Sequence, residues 1–230
     1  MTTSGTTTFD LQIEDIIDEA YERCGSSTTS GYSLKSARRS LNILFSEWGN
    51  RGVHLWKVEL KNQLMVSGTS TYATPQDCSD VLEAYISSSL VNTTNTQDIS
   101  LSKIDRSAYA ALPNKGQTGQ PSQYYVNRQI NPEISLYLVP DCTLYTYLKY
   151  YYIQRIQDAG AYTNTADLPY RFLPCMVSGL AFYLSQKVNP KMSEQLRMYY
   201  EDDLQRALTE DGQRTSVFIS PQTYYGDGVL

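Results

Sequence analysis

Three arrangements of residues in this chain have the types that chemistry requires. Glu14, Asp18 and Glu22 recur every fourth residue, so Glu14 with Asp18, or Asp18 with Glu22, would share a helix face as a glycosidase-like carboxylate pair. Spacing of that kind is unspecific, and the aromatic residues that line a sugar cleft do not bracket these acids. The run Glu201-Asp202-Asp203 could ligate a metal or move a proton. It lacks the glycine turn and the alternating Asp/Asn pattern of a cation loop, so a solvated helix face accounts for it at lower cost. His54 is the one histidine, so any triad or proton relay must rest on it. Its setting, Arg51-Gly52-Val53-His54-Leu55-Trp56, reads as a loop entering a strand, with the ring at the surface or half-packed. Cys24, Cys78, Cys142 and Cys175 lie far apart and form no C-x-x-C pair, which disfavours both a disulfide scaffold and a zinc ribbon. Glycine-rich nucleotide loops and the G-x-S-x-G elbow are also missing, so no catalytic residue, metal or cofactor is expected.

Tyrosine is the residue type in excess, at 20 against 5 Phe. Tyr145, Tyr147, Tyr150, Tyr151 and Tyr152 crowd one strand-like run, so both of its faces must carry rings. Strand packing is the first use for them and a protein interface the second, with stacking of sugars or bases a distant third.

These residues are positioned by a chain whose hydrophobic period changes twice. Residues 1–8 are short, polar and Thr-rich. Asp10 then caps a first helix, with Ile13, Ile16, Ile17, Ala20, Tyr21 and Cys24 on one face and acids on the other, ended by Gly25. Ser33 opens a second helix with the stripe Leu34, Ala37, Leu41, Leu44, Phe45 and Trp48, and with Lys35, Arg38 and Arg39 on its outer side. An acidic face on one helix and a basic face on the next are either two solvated surfaces or a pairing between subunits, in which Glu14 and Asp18 would meet Lys35, Arg38 and Arg39.

From Leu55 the period becomes two, with Leu60, Leu64 and Val66 on one side of a long strand. Val81 to Ile86 reads as another strand, and Ile104, Ala108 and Leu112 as the inward face of a short helix. Gln123–Arg128, Ile134–Val139 and Thr143–Gln154 read as three strands of an antiparallel meander. Helical period returns with Phe172, Leu173, Met176, Val177, Leu180, Leu184 and Val188, turns at Asn189-Pro190, and continues with Met192, Leu196, Tyr199, Tyr200, Leu204 and Leu208. The last segment is polar and punctuated by Gly and Pro, yet carries Val217-Phe218-Ile219 and Tyr224-Tyr225. Two apolar clusters in a segment too short for a core suggest a docking peptide; packing back on its own final helix is the alternative.

The fold class is therefore α+β, a four-helix frame with an inserted antiparallel β-rich domain. The expected divisions are an N-terminal helical part (1–54), the insertion (55–160), a C-terminal helical hairpin completing the frame (161–212) and an extended docking tail (213–230). Net charge is −5, from 24 acidic and 19 basic residues, which argues against a broad phosphate-gripping surface. The N-terminus has neither the basic nor the apolar region of a leader, and no run approaches the roughly 20 apolar residues of a membrane span.

In this order of parts the chain resembles the head-to-tail adaptor, or head-completion, family of short-tailed bacteriophages. The resemblance rests on the helices Asp10–Cys24 and Ser33–Trp48, on Gly68-x-x-x-Tyr72 and Pro75, on Gly119-x-Pro121-x-x-Tyr124, on Tyr137-x-x-Pro140, and on Leu168-Pro169-x-x-Phe172. It implies a ring of identical subunits, generally twelve, between the portal and the tail nozzle of a virion assembled in the bacterial cytoplasm, with DNA passing through unread. Val217, Phe218, Ile219, Tyr224 and Tyr225 would then dock on the portal. A virion-associated cell-wall glycosidase and a glycan-binding module on the Tyr-rich sheet are the rival readings.

Overall fold

The structure is a computed structural model that describes residues 5, 7, 9–27, 31–53, 55–89 and 96–211. Its four long helices come from the two ends of the chain and pack around one of their number. Helix α1 (Ile13–Arg23) buries Ile13, Ile16, Ile17, Ala20 and Tyr21. It starts at Gln12 rather than near Asp10: the Gln12 N–H donates to Asp15 Oδ2 at 3.2 Å. The N–H groups of Ile13 and Glu14, unpaired in any helix start, donate to the carbonyls of Asn164 (2.9 Å) and Tyr162 (3.0 Å). The loop leaving the insertion is thereby stapled to the first helix. Gly25, at φ +70°, closes that helix in the left-handed conformation a Cβ disfavours.

Helix α2 (Gly31–Asn50) buries Ala37, Ser40, Leu41, Leu44, Phe45 and Trp48. Helix α4 (Leu173–Val188) is buried on nearly every side and is contacted by α1, α2 and α5 (Ser193–Asp211). Small residues make this central position possible. A Cβ on Gly179 would lie 2.9 Å from the Tyr200 ring and 3.0 Å from both methyls of Leu44, so α2 and α5 both approach the helix backbone there. On α5 the buried stripe is Leu196, Tyr200, Leu204 and Ala207. Tyr199 and Leu208 are exposed, because α5 packs mainly on α4 and a narrow stripe suffices; Val188 of α4 is exposed as well.

The insertion is a seven-stranded sheet. Its strands are β1 (Val58–Leu64), β2 (Thr71–Ala73), β3 (Cys78–Ser87), β4 (Asp98–Ile104), β6 (Gln123–Asn127), β7 (Glu133–Tyr137) and β9 (Tyr147–Gln154), in the order β1-β9-β3-β4-β6-β7-β2. All pairs are antiparallel except β4 with β6. That parallel pair needs a crossover, which α3 (Arg106–Ala111) helps to supply. Two short segments, β5 (Thr118–Gly119) and β8 (Val139–Pro140), pair separately.

Two expectations fail here for physical reasons. The meander stops after two strands: β6 and β7 pair, but β9 inserts between β1 and β3. Leu148, Tyr150 and Tyr152 are buried, and a strand with that many buried side chains is best flanked on both edges. Helix α3 buries nothing, so Ala108 does not face inward; Tyr109 stacks instead on Tyr125, centroids 5.3 Å apart. Leu60, Leu64 and Val66 are exposed, and β1 is the end strand of the sheet among the described residues. Two hydrophobic clusters result: one joins the four long helices to Val53, Ala159 and Phe172, and the other lies within the sheet.

Candidate functional site

The groups with most chemical potential form a polar tie between the two ends of the chain. Trp48 Nε1 donates to the hydroxyl of Tyr200 at 2.9 Å, and that hydroxyl donates to Glu47 Oε2 at 3.3 Å. Tyr183 donates to the same carboxylate oxygen at 2.9 Å. Arg51 binds Glu47 at 2.5 Å and grips Glu201 with both nitrogens, at 2.7 and 2.8 Å, with its guanidinium 5.5 Å from the centre of the Tyr200 ring. Burial drives the Tyr200 phenol well above its ordinary value, and burial with the neighbouring Glu47 pushes Tyr183 up to about 12. The Arg51 fork holds the Glu201 carboxyl below its ordinary value. Phenols raised in this way stay protonated donors, and their hydrogen bonds fix the helices to one another. The sequence displayed each of these residues, but their union required knowing that α2, α4 and α5 converge.

The other acids are similarly engaged. Asp202 pairs with Arg206 at 2.5 Å, and Asp203 accepts from Ser178, which itself accepts from Arg23 at 3.2 Å. The run at 201–203 is thus divided among three separate partners. Glu14, Asp18 and Glu22 line the outer side of α1 rather than opposing walls of a cleft. Among the described residues no group of three or more His, Cys, Asp or Glu is placed to hold a metal ion. A cleft of about 640 Å³ runs between α2 and the ends of β3 and β9, lined by Asn42, Phe45, Asp80, Arg128 and Arg155 among others. Two of its charged groups have partners: Asp80 is paired with Lys103 (3.2 Å) and Arg128 (3.8 Å), and Arg155 donates to the carbonyls of Cys78 and Ile130 (3.3 Å each). His54 lies outside the described residues.

The charged faces of α1 and α2 fare unequally as contact surfaces. Arg38 is turned onto its own subunit, donating to the Gly160 carbonyl at 3.0 Å and lying 5.3 Å from the centre of the Tyr162 ring. Asp18 is half-buried, and it has a partner. Lys35, Arg39 and Glu14 stand exposed, with Tyr32 and Ile43 exposed on the same helix as the two bases. No ion pair among the described residues joins Glu14 to Lys35, Arg38 or Arg39. The tail residues Val217, Phe218, Ile219, Tyr224 and Tyr225 lie outside the described residues.

Part of the tyrosine excess goes to strand packing. Tyr124, Tyr150 and Tyr152 are buried; Tyr124 donates to the Leu82 carbonyl at 3.0 Å and Tyr152 to Glu59 at 3.0 Å. Burial, with the nearby Asp80 and Glu83 carboxylates, pushes the Tyr124 phenol up to about 12. Tyr151 alone of the three consecutive rings on β9 faces solvent.

What this geometry presents, then, is contact surface: charged helix faces, an open sheet edge and an internally tied frame. Residues 8–223 match the family model described as SU10 adaptor protein, and the chain belongs to that family of phage head–tail adaptors. It is a structural phage protein of the head–tail complex, working with other virion proteins. No curated protein matches the chain. No helix among the described residues is long and apolar enough to cross a membrane.

Proposed function

We propose that this chain forms a closed ring, of twelve copies in the manner of the family it resembles, seated between portal and tail nozzle and leaving a channel through which DNA is ejected. The observation that carries this reading is the family match over nearly the whole chain. Two features support it. Exposed acids on α1 and exposed bases on α2 give one subunit complementary charges, which a head-to-tail contact between identical subunits can use for closure. A net charge of −5 suits a channel that lets DNA slide, because like charge suppresses phosphate contacts.

The subunit contact in this proposal runs from Lys35 and Arg39 of one copy to Glu14 and Glu22 of the next. Reversing Lys35 and Arg39 to Glu should weaken co-sedimentation with portal while leaving the melting temperature unchanged. Adding Glu14→Lys and Glu22→Lys should restore assembly. Equal loss of assembly and stability, or no rescue, would remove this face from the subunit contact. Arg38→Glu is the internal control and should lower stability itself, because its partners are Gly160 and Tyr162 of its own chain.

A further inference from the structure

One edge of the sheet is left open beside an apolar stripe. β9 pairs with β1 over all seven residues from Val58 to Leu64, and among the described residues no strand pairs along its other side. Leu60 lies opposite Tyr151 and Leu64 opposite Tyr147 on one face of the pair, with Asn62 and Lys149 between the two couples. Leu60, Leu64 and Tyr151 are 42, 60 and 39% exposed. An unpaired edge of this length is a template for strand addition, and proteins generally cover or charge such edges; here Glu59 and Lys61 charge it only in part, and Leu60 and Leu64 stay exposed.

The chain carries an occupant of matching kind. Nineteen residues follow Asp211. Within them Thr215-Ser216-Val217-Phe218-Ile219 is β-branched or aromatic at four of its five positions, is preceded by Gly212, and is followed by Pro221, which cannot extend a ladder. Where the described chain ends is equally telling. Asp211, its side chain nearly buried, is paired with Arg171. The Arg171 guanidinium lies 5.6 Å from the centre of the Phe172 ring, and Phe172 lies 4.5 Å from Trp56, centroid to centroid. Trp56 sits in the 3-10 turn Leu55–Lys57 that runs straight into β1. A chain of side-chain contacts thus links the end of α5 to the turn that opens β1, and residues 212–214 supply about 10–14 Å of extended chain toward it.

We propose that residues 215–219 of this same chain add to the open edge of β1 as an eighth strand. Because the tail departs at the Val58 end, the new strand runs parallel to β1, with Arg214 level with Glu59. Val217 and Ile219, two residues apart, fall on one face and continue the Leu60–Leu64 stripe. The tail then belongs to the fold of its own subunit and protects an edge that would otherwise recruit other strands.

The test is amide hydrogen exchange on the free subunit at low concentration, in the absence of portal. It compares the full chain with a chain ending at Asp211 and with the full-length Val217→Asp/Ile219→Asp variant. The proposal expects the open-side amides of β1 to exchange roughly tenfold or more slowly in the full chain than in both variants, with α4 unchanged in all three. Equal exchange of β1 in the three proteins would overturn it. Protection that fades on dilution would assign the strand to a second copy's tail, and tail protection appearing only with portal would assign it to the portal. Either outcome also overturns the proposal.

Discussion

Tyr200→Phe removes one oxygen atom from the middle of the helical frame, and the structure gives the consequence a size. The ring of Tyr200 is 1% exposed and stays in place, so no cavity larger than a hydroxyl is made. What changes is Trp48 Nε1, a fully buried donor whose acceptor at 2.9 Å is that oxygen. A buried donor left without a partner costs about 1–3 kcal/mol. Glu47 keeps Tyr183 and Arg51, so its loss of one weak donor at 3.3 Å adds little. In a chain of this size the expected fall in melting temperature is roughly 2–12 °C. The assay is urea unfolding followed by far-ultraviolet circular dichroism, reading the midpoint at unchanged slope. The same substitution in a Trp48→Phe background should cost distinctly less, giving a coupling of about 1–2 kcal/mol, because no indole N–H is then left stranded. An equal cost in both backgrounds would show that Tyr200 does not satisfy Trp48, and that the two chain ends are not joined through this bond.

Other outcomes follow from the same packing. Phe172→Ala empties a fully buried site between Trp48 and Trp56 and should cost about 3–5 kcal/mol; a loss near 1 in urea unfolding would mean the two indoles close over the gap. Gly179→Ala should be neutral to about 2 kcal/mol destabilising, since overpacking of about 1–3 outweighs the roughly 1 gained in helix propensity, and a raised midpoint would show that Leu44 can move aside. The Glu201 carboxyl is held low by Arg51, so the folded chain binds protons less readily there than the unfolded one. Its contribution is present above the unfolded-state value and is lost as pH falls through the folded-state value. Glu201→Gln should therefore flatten the acid limb of a melting-temperature profile, and added salt should shrink the difference because the pair is half-exposed. An unchanged acid limb would show that the pair adds nothing to stability.

The helices were legible because their patterns are local. Ile13, Ile16, Ile17 and Ala20, or Leu41, Leu44, Phe45 and Trp48, announce one buried face each, and Asn189-Pro190 marks the corner between α4 and α5. Strand pairing was less legible, since it depends on which strand has most to bury. Tyr150 and Tyr152 draw β9 away from its neighbour in sequence to a position between β1 and β3. The apolar alternation of β1 showed a strand but not that its apolar side faces outward, because edge position is a property of the whole sheet. Charge patterns had a similar limit. Arg38 and Arg39 are adjacent in sequence, yet one hydrogen-bonds its own subunit at Gly160 while the other stays exposed.

Cryo-electron microscopy of the purified chain, alone and mixed with portal, addresses the ring directly. The account predicts a closed ring of this chain seated on the portal, with α1 of each copy facing α2 of the next and an open channel at its centre. Portal left bare, or the chain bound in some other arrangement with no closed ring, would contradict it.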